Sequence, residues 1–332
     1  MMPDMDFDKL FSSFSQIKVA VIGDVMLDTY WWGKVDRISP EAPVPIVAVS
    51  KREERIGGAG NVALNIRALD ASVAVISVLG TDSEATQLKA LLESNGINTD
   101  YLVHSAERIT TNKIRIIGRN QQMMRLDAEI THPLSKKDED ALIASFEKYI
   151  QQEKPGIAIL EDYNKGVLSE SVIEKIISLC KANNILIAVD PKRKNFFAYK
   201  QVDIFKPNLH EAKEGLNIIS DEVTSQLLEI IHSALHEKLQ HRISLITLSE
   251  KGVFFQTGEE QAIIPTHIRS IADVSGAGDT VIAVASVVYA ATGNVQLMAE
   301  MANIAGGLVC EEVGTVAIDK EKLLKECKQL LN

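Results

Sequence analysis

The sequence predicts an α/β protein whose core is a mostly parallel β-sheet flanked by helices, with a small β lid inserted into it. Two observations predict this fold class. Short runs rich in β-branched residues alternate with segments of helical spacing, as they do in βαβ units. Several of those runs also end in a polar residue, which is typical of a buried parallel strand that leads into a loop.

Six runs are predicted to be strands of the main sheet. They lie at residues 17–24, 72–80, 156–162, 184–190, 202–208 and 243–250. Between most of them the apolar residues recur three or four positions apart, which predicts helices such as GNVALNIRAL and SESVIEKIISLCKANN. Ligands of such sheets bind outside the carboxyl ends of the strands. Asp24, Asp162, Asp190 and Asn208 fall at such ends, so we expect them to face one cleft.

Two segments interrupt the alternation and are predicted to form the lid. Residues 30–55 carry three prolines beside a short β run, which indicates an edge strand or an arm. Residues 107–128 contain TNKIRIIGRNQQMMRLD, whose alternation predicts a strand pair. No long linker or internal repeat divides the chain, so residues 1–332 are expected to form a single domain. Because exposed strand edges tend to be covered by a partner, the lid predicts a homodimer.

Composition and charge limit the class of protein. The 332 residues are 46% hydrophobic and 24% charged, which suits a globular protein with a sizeable core. The formal net charge of -10, without a long Lys/Arg run, argues against nucleic-acid binding through a basic face and favours a small-molecule partner. The chain has no signal-peptide pattern and no apolar segment of membrane-spanning length, so no membrane partner and a cytoplasmic location are expected.

The sequence DVSGAGDT, residues 273–280, carries the candidate catalytic group. Gly276, Ala277 and Gly278 precede Asp279, and an apolar run follows it. The glycines let successive N–H groups point at one anion at the positive end of the following helix. A carboxylate beside such a cradle can take a proton from a substrate hydroxyl while the cradle stabilises the transferred group, as phosphoryl transfer requires. The structural alternative for Asp279 is a helix N-cap.

These motifs belong to a wider resemblance that spans nearly the whole chain. DVSGAGDT resembles the C-terminal signature of the ribokinase-like (PfkB) carbohydrate kinases, and GGAGNVALNIRALDASVAVISVLGTD resembles their N-terminal signature. GDVMLDTYWWG, RISPEAPVPIV, RNQQMMRLD, DYNKGVL and DPK resemble the branch that phosphorylates D-glycero-D-manno-heptose 7-phosphate. The resemblance implies a ribokinase-like fold and a kinase that uses ATP and Mg²⁺ to phosphorylate the C1 hydroxyl of this heptose, for ADP-heptose and lipopolysaccharide synthesis.

The resemblance also implies roles for individual residues. Asp279 would be the catalytic base, and the amides of Gly276, Ala277 and Gly278 would form an anion hole for the γ-phosphoryl group. ATP would be bound by Asn208, Glu211, Ser249, Gly252 and Asn303, with Asp273 holding the loop and with Mg²⁺ held through water by Asn208 and Glu211. The sugar phosphate would be bound by Asp24, Asp28, Gly57, Gly58, Asn61, Asp162, Lys165, Asp190 and Lys192, with Arg119, Lys165 and Arg37 as candidate cations for its phosphate.

Several of these residues have structural alternatives. Asn208 and Glu211 could instead form a helix capping box. Asn303 could be a buried helix amide, and Asp28 an ordinary surface acid. His232 and His236, four residues apart, are expected to lie on a solvated helix face rather than to bind a metal.

The chain departs from the family pattern at four positions, of which Val281 and Val284 stand where phenylalanine and glycine are frequent, and two other functions stay open. Glu161 stands where a small residue is expected, and Lys206 stands where threonine is frequent, so either could alter ligand preference. One alternative function is another PfkB-type kinase that acts on a ketose phosphate or a keto sugar acid. The other is a non-catalytic regulator that binds a nucleotide or a sugar.

Overall fold

The six predicted strands of the main sheet all form in the computed structural model, which describes residues 5–118, 121–220, 222–267 and 269–331. The strands are β1 (Lys18–Gly23), β2 (Val25–Ile38), β3 (Pro45–Gly58), β4 (Ser72–Ile76), β5 (Val78–Leu79), β6 (Val103–His104), β7 (Asn112–Gly118), β8 (Gln121–Ala128), β9 (Ile157–Glu161), β10 (Leu186–Asp190), β11 (Ile204–Phe205), β12 (Ile243–Thr247), β13 (Val253–Gln256) and β14 (Gln261–Ile264). The helices are α1 (Phe7–Ser13), α2 (Ala59–Ala68), α3 (Ser83–Ser94), α4 (Lys136–Glu153), α5 (Glu170–Ala182), α6 (Leu209–Leu216), α7 (Ser225–Leu239), α8 (Ala277–Thr292), α9 (Val295–Val309) and α10 (Lys320–Leu330).

The main sheet is parallel through most of its width. Its strand order is β14-β13-β12-β11-β10-β9-β1-β4, and only the pairs β12 with β13 and β13 with β14 are antiparallel. The carboxyl ends of β1, β9, β10 and β11 therefore meet at one edge. This edge receives the polar residues that follow those strands.

Both faces of the main sheet are buried, because successive residues of a strand point to opposite sides. In β1, Val19 and Val21 pack into a core formed mainly with α2, α8 and α9, whereas Ala20 and Ile22 pack into a second core formed with α4, α5 and α7. Two cores on one sheet explain why its strands read as nearly continuous apolar runs.

A second sheet confirms the predicted β lid. Its order is β3-β2-β7-β8, with β2 and β7 parallel and the two outer pairs antiparallel. The bounds predicted for the first segment, 30–55, were too narrow, because β2 starts at Val25, directly after β1, and β3 runs to Gly58, directly before α2, whereas β7 and β8 lie within the predicted 107–128. The lid is therefore connected to the main sheet at the same edge at which the polar residues lie.

The expectation for the histidine pair is wrong in part. His232 lies in α7 but is only 7% exposed, and its Nδ1 is 2.9 Å from Ser244 Oγ. The ring faces the sheet because α7 covers β13 and its neighbours, and burial lowers the pKa of His232 to about 4. Across the described ranges, no helix combines the length and the apolar character needed to cross a membrane.

Candidate active site

The glycine-rich turn leads directly into α8, as the sequence predicted. Gly276 is the N-cap residue, with φ +81°, and Asp279 lies in the first turn. A Cβ on Gly276 would lie 2.9 Å from Asn61 Nδ2, so both backbone conformation and space require glycine here. Because Gly276 holds the cap position, the N-cap alternative for Asp279 is wrong.

The amides at this helix end form a partial anion cradle. The amides of Gly278 and Asp279 donate no hydrogen bond to any described residue, as expected for the first turn of a helix. The amide of Ala277 differs from the expectation, because it donates to Val274 O at 3.3 Å. Of the three expected donors, the amides of Gly276 and Gly278 therefore have no acceptor among the described residues, and the amide of Asp279 adds a further free donor at the positive end of α8.

Two side chains hold the carboxylate of Asp279. Asn61 Nδ2 donates to Oδ2 and Tyr163 Oη donates to Oδ1, each at 2.7 Å. Asp279 is only 5% exposed, and burial raises its pKa to about 6, against the lowering effect of these two hydrogen bonds. Asn61 was expected to bind a sugar hydroxyl, but in the structure its amide nitrogen is engaged by Asp279. The arrangement leaves an acid that is ionised at neutral pH and poised to accept a proton.

Two further acids lie beside Asp279. Oxygens of Glu161, Asp190 and Asp279 lie within 4.8 Å of one another. Lys206 Nζ lies 2.8 Å from Asp190 Oδ2, and the Lys206 side chain is 3% exposed. Glu161 and Lys206, two of the departures from the family pattern, thus both lie beside Asp190, and a Cβ on Gly278 would lie 3.7 Å from Lys206 Nζ.

Glu161 is the least compensated of these acids. It is fully buried, and neither of its carboxyl oxygens has a hydrogen-bond partner within the described part of the chain. Burial, followed by the charges of Asp190 and Asp279, raises the pKa of Glu161 well above its ordinary value. A neutral carboxyl at position 161 leaves Lys206 to balance the charge of Asp190.

Replacing Glu161 with glutamine is therefore expected to stabilise the protein at neutral pH. Below the ordinary pKa of 4.5 the carboxyl is protonated in both folded and unfolded chains. Above pH 4.5 the carboxyl ionises only in the unfolded chain, so the wild type loses stability relative to Glu161→Gln as the pH rises. The loss is on the order of 1 kcal/mol per pH unit and continues until the pH reaches the raised pKa of Glu161 in the folded protein. Urea unfolding of both proteins between about pH 5 and 8 measures the difference.

The matched control for this prediction is Glu237→Gln, an exposed carboxyl on α7. Its difference from the wild type should stay flat over the same pH range. A flat difference for Glu161→Gln as well would mean that Glu161 ionises in the folded protein as easily as in the unfolded one.

Two acids expected to bind the sugar instead organise the loop after β9. Asp24 is 1% exposed and accepts hydrogen bonds from the amides of Tyr163, Lys165 and Val167. Asp162 accepts from the amide of Asn164 and from the hydroxyl of Tyr199, each at 2.7 Å. Burial raises the pKa of Asp24, and it raises that of Asp162 to about 6. Their oxygens fix the DYNKG segment, and a direct role in sugar binding stays a prediction.

The lid contributes a partly buried ion pair to this edge. Asp28 Oδ1 lies 2.5 Å from Arg115 Nη1, and Asp28 is 5% exposed, so the surface-acid alternative is wrong. A Cβ on Gly57 would lie 2.4 Å from Asp28 Oδ2, and Gly58, with φ +60°, turns the chain into α2. The two glycines therefore serve the close approach of β3 to β2, and contact with a sugar stays a prediction.

Asn208 and Glu211 form the capping box that the sequence left as an alternative. Asn208 Oδ1 accepts from the Glu211 amide at 2.8 Å, and Glu211 Oε2 accepts from the Asn208 amide at 2.9 Å. Lys192 Nζ lies 2.5 Å from Glu211 Oε1 and 3.8 Å from Asp190 Oδ1. Although burial alone would lower it, these two carboxylates raise the pKa of Lys192. Lys192 therefore links the capping box of α6 to Asp190 of the acidic cluster.

The remaining predicted nucleotide ligands lie on α9 and on the loops beside it. Asn303 is 7% exposed and donates to Pro265 O at 2.8 Å, which is the buried-amide alternative. Asp273 accepts from the amides of Ser275 and Gly314, each at 3.0 Å, and so holds the glycine-rich turn. Ser249 is exposed, with φ +58°. Gly252 has φ +99°, and a Cβ there would lie 1.9 Å from Ile264 O.

The candidate cations for the sugar phosphate are separated in the structure. Lys165 Nζ lies 2.7 Å from Glu129 Oε2, and Arg37 is exposed on β2. Arg119 lies outside the described residues. A cavity of about 360 Å³ opens elsewhere, between Arg193, Phe196 and Glu214, and none of the predicted site residues lines it.

Sequence reasoning missed Tyr163 and Arg115. Tyr163 lies inside the EDYNKG motif, between Asp162 and Lys165, so the motif itself was a signal. Arg115 had none, because its pairing with Asp28 depends on β7 lying beside β2. The structure brings Asp279, Asn61, Asp190 and Lys206 together, and among the described residues no hydrogen bond or ion pair joins Ser249 or Asn303 to that group.

Comparison with known proteins places the chain in a family. The family model described as pfkB family carbohydrate kinase matches residues 16–322. The chain is 39% identical over 319 residues to Bifunctional protein HldE of Desulfatibacillum aliphaticivorans, covering 94% of this chain and 63% of that protein. It is 40% identical over 306 residues to Bifunctional protein HldE of Aliarcobacter butzleri, covering 92% and 63%. The chain thus spans less than two thirds of the length of these relatives.

Solved structures agree with this placement at the level of the fold. The phosphofructokinase-2 of Escherichia coli in complex with substrates and products superposes with a TM-score of 0.78 at 16% identity, over 95% of this chain and 99% of that one. The ribokinase of Arabidopsis thaliana complexed with ribose and ATP gives 0.71 at 17% identity, over 93% and 98%. Together with the match of the family model, these likenesses show a ribokinase-like fold. The chain belongs to the pfkB family of carbohydrate kinases.

Proposed function

We propose that the protein transfers the γ-phosphoryl group of ATP to the C1 hydroxyl of D-glycero-D-manno-heptose 7-phosphate. The observation that carries the proposal is the carboxylate of Asp279 beside the free amides at the start of α8. The motifs around the site, RISPEAPVPIV and DYNKGVL among them, support the heptose 7-phosphate branch of the family. The relatives named HldE, at 39% and 40% identity, are consistent with placing the chain in this branch.

The geometry divides the chemistry between two groups of atoms. Asp279 takes the proton of the acceptor hydroxyl, which makes the oxygen a nucleophile as it meets the phosphorus. The amides of Gly278 and Asp279 and the positive end of α8 face the equatorial oxygens of the transferred group. Lys206, close to Gly278, adds a positive charge on the same side. The proton ends on Asp279 and the γ-phosphoryl group on the sugar, which leaves ADP.

Kinases of this family use ATP with a divalent metal ion, and we assign Mg²⁺ to this role. Each side-chain oxygen of Asn208 and Glu211 already accepts one hydrogen bond but keeps a second lone pair, so these two residues would hold through water a hard cation such as Mg²⁺ that keeps most of its water. When bound with ATP, the ion neutralises charge on the phosphates. Lys192, which forms an ion pair with Glu211, would place a positive charge beside the same phosphates.

We further propose that the sugar phosphate lies under the lid. The lid starts at the end of β1 and carries Arg37, while Lys165 lies in the loop after β9. Each offers a cation for the 7-phosphate, as Arg119 would. For Lys165 this requires exchange of Glu129 for the phosphate as its partner.

The lid also supports the predicted homodimer. Ile38, Val44, Met124 and Leu126, on or beside its strands, are each more than 40% exposed. A second copy would cover this apolar surface and the edge of the sheet. Sedimentation equilibrium distinguishes a dimer from a monomer.

The single-domain organisation of residues 1–332 and the cytoplasmic location stay predictions.

Substrate screening tests the proposed function. We expect rapid ADP formation from ATP and Mg²⁺ with the heptose 7-phosphate, and a kcat/KM at least about 100-fold lower with fructose 6-phosphate or a keto sugar acid. The reverse preference would assign the protein to another kinase of the family. Binding of ATP and of sugar phosphate with no ADP formed from any of them would favour the non-catalytic regulator.

A further inference from the structure

Tyr163 makes a contact for which the proposed function has no role so far. Its hydroxyl donates to Asp279 Oδ1 at 2.7 Å, while Asn61 occupies the other oxygen. The two donors come from different parts of the fold, the loop after β9 and the helix α2. They hold the carboxylate from both sides, so its plane is set before any ligand binds.

The position of Tyr163 is itself fixed by its neighbours. Its amide donates to Asp24 Oδ2 at 2.9 Å. The next residue, Asn164, has φ +56°, and its amide donates to Asp162 Oδ1 at 2.7 Å. Lys192 Nζ lies 5.5 Å from the centroid of the tyrosine ring, within the range of a cation–π contact. The acids at the ends of β1 and β9 therefore place the phenol, and the phenol places the base.

We propose that Tyr163 is a positioning residue that orients Asp279 towards the acceptor hydroxyl and favours its ionised form. The proposal rests on the proposed function, in which Asp279 is the base. Oδ1 keeps a second lone pair when Tyr163 occupies the first, so the acceptor hydroxyl can still reach the carboxylate. A fixed carboxylate plane shortens the search for a productive geometry in the transfer step.

The direction of the hydrogen bond follows from the surroundings of the phenol. Desolvation, followed by the charges of Asp279 and Glu161, raises the pKa of Tyr163 well above its ordinary value. The phenol therefore keeps its proton at neutral pH and donates it to the carboxylate. A donor of this kind stabilises the charged form of Asp279 and lowers its pKa from the value that burial alone would give.

The other titratable groups around Asp279 set the background for a pH experiment. Asp190 at the end of β10 raises the pKa of Asp279 and Lys206 after β11 lowers it, while Glu161 at the end of β9 has a carboxyl oxygen within 4.8 Å of the Asp279 carboxylate. Lys192 lies over the tyrosine ring, and Asp24, at the end of β1, accepts a hydrogen bond from the Tyr163 amide. None of these groups is altered when Tyr163 loses only its hydroxyl.

The test is Tyr163→Phe, assayed with MgATP and the heptose 7-phosphate across a pH range. In the wild type, kcat/KM should fall as the pH drops through about 6, because Asp279 takes up a proton. In Tyr163→Phe this acid limb should move up by about one pH unit, since a hydrogen bond to a charged group is lost. At neutral pH kcat should fall about 10-fold, with partial recovery at higher pH and KM within about threefold.

The matched control is Tyr149→Phe, which removes a phenol that donates to Val19 O at 2.9 Å in the core on the opposite face of the main sheet. It should keep the acid limb and kcat of the wild type. Incorporation of 3-fluorotyrosine at position 163 gives a second measurement if the phenylalanine variant does not fold. The more acidic phenol is a stronger donor, so the acid limb should then move to lower pH.

Three outcomes would overturn the inference. An unchanged acid limb and kcat in Tyr163→Phe would show that the phenol does not affect the base. A change confined to KM would make Tyr163 a substrate contact, and an acid limb that fluorination does not move would show that donation to Asp279 is unimportant. If Asp279→Asn lost activity in the same assays, the proposed function would survive each of these results.

Discussion

Replacing Asp279 with asparagine is expected to lower kcat by at least about 100-fold, the usual scale for the loss of a general base. The amide has almost the same size as the carboxylate but cannot take the proton of the acceptor hydroxyl. Binding of ATP and of the sugar phosphate should stay within about threefold of the wild type, because the base acts on the transition state. Isothermal titration for binding and single-turnover kinetics for the transfer step measure the two effects separately.

Asp203→Asn is the matched control for that variant. Asp203 lies at the amino end of β11, on the opposite edge of the same sheet, where its Oδ2 accepts from the Ile187 amide at 2.8 Å. Loss of this partly buried acid should affect stability and leave kcat close to that of the wild type. Wild-type turnover by Asp279→Asn with both ligands bound normally would remove Asp279 as the base.

Replacing Gly276 with alanine is expected to lower kcat by about 100-fold, comparable to the loss of an oxyanion-hole donor. An alanine at φ +81° is strained, and its Cβ would lie 2.9 Å from Asn61 Nδ2 and 3.1 Å from Thr315 Cγ2. Relief of the clash must move either the turn or Asn61. The first change disturbs the free amides of α8, and the second releases Asp279 Oδ2.

The other end of α8 supplies a close control in Gly293→Ala. Gly293 caps this helix with φ +65°, and nothing lies within 4 Å of an added Cβ. This variant should lose about 1 kcal/mol of stability from backbone strain and keep the wild-type kcat. Equal loss of activity in the two variants would show that strain in α8, rather than the geometry of the turn, controls turnover.

Six strands of the main sheet could be predicted from sequence because each is a short apolar run whose length and polar end are local properties, whereas β13 and β14, which add antiparallel strands at one edge, were not predicted. The extent of the lid strands could not. β2 and β3 continue into the protein as far as Val25 and Gly58, where they are buried by contacts that include α2 and α3 rather than by a pattern of their own. Long-range packing of this kind leaves no local pattern.

The same distinction applies to the candidate site. The glycine-rich turn and Asp279 are adjacent in sequence, so their relation was predictable. Asn61 and Tyr163 reach Asp279 across 218 and 116 residues, and only the folded chain brings them together. For Asn208 and Glu211 a local motif had two interpretations, and the structure shows the capping box.

Strand order explains why Glu161 and Lys206, two of the departures from the family pattern, lie close together. Glu161 ends β9 and Lys206 follows β11, while Asp190 ends β10, which lies between them. In the sequence Glu161 and Lys206 are 45 positions apart, and nothing in it relates the additional acid to the additional lysine. In the sheet they become near neighbours around Asp190, so a change at one is expected to alter the charge balance that the other maintains.

The most direct test of the account is a crystal structure with a non-hydrolysable ATP analogue, Mg²⁺ and the heptose 7-phosphate. We expect the C1 hydroxyl about 3 Å from an oxygen of Asp279, with the terminal phosphorus between that hydroxyl and the amides of Gly278 and Asp279. A sugar phosphate bound with its C1 hydroxyl more than about 6 Å from Asp279, or a terminal phosphate remote from the start of α8, would contradict the account.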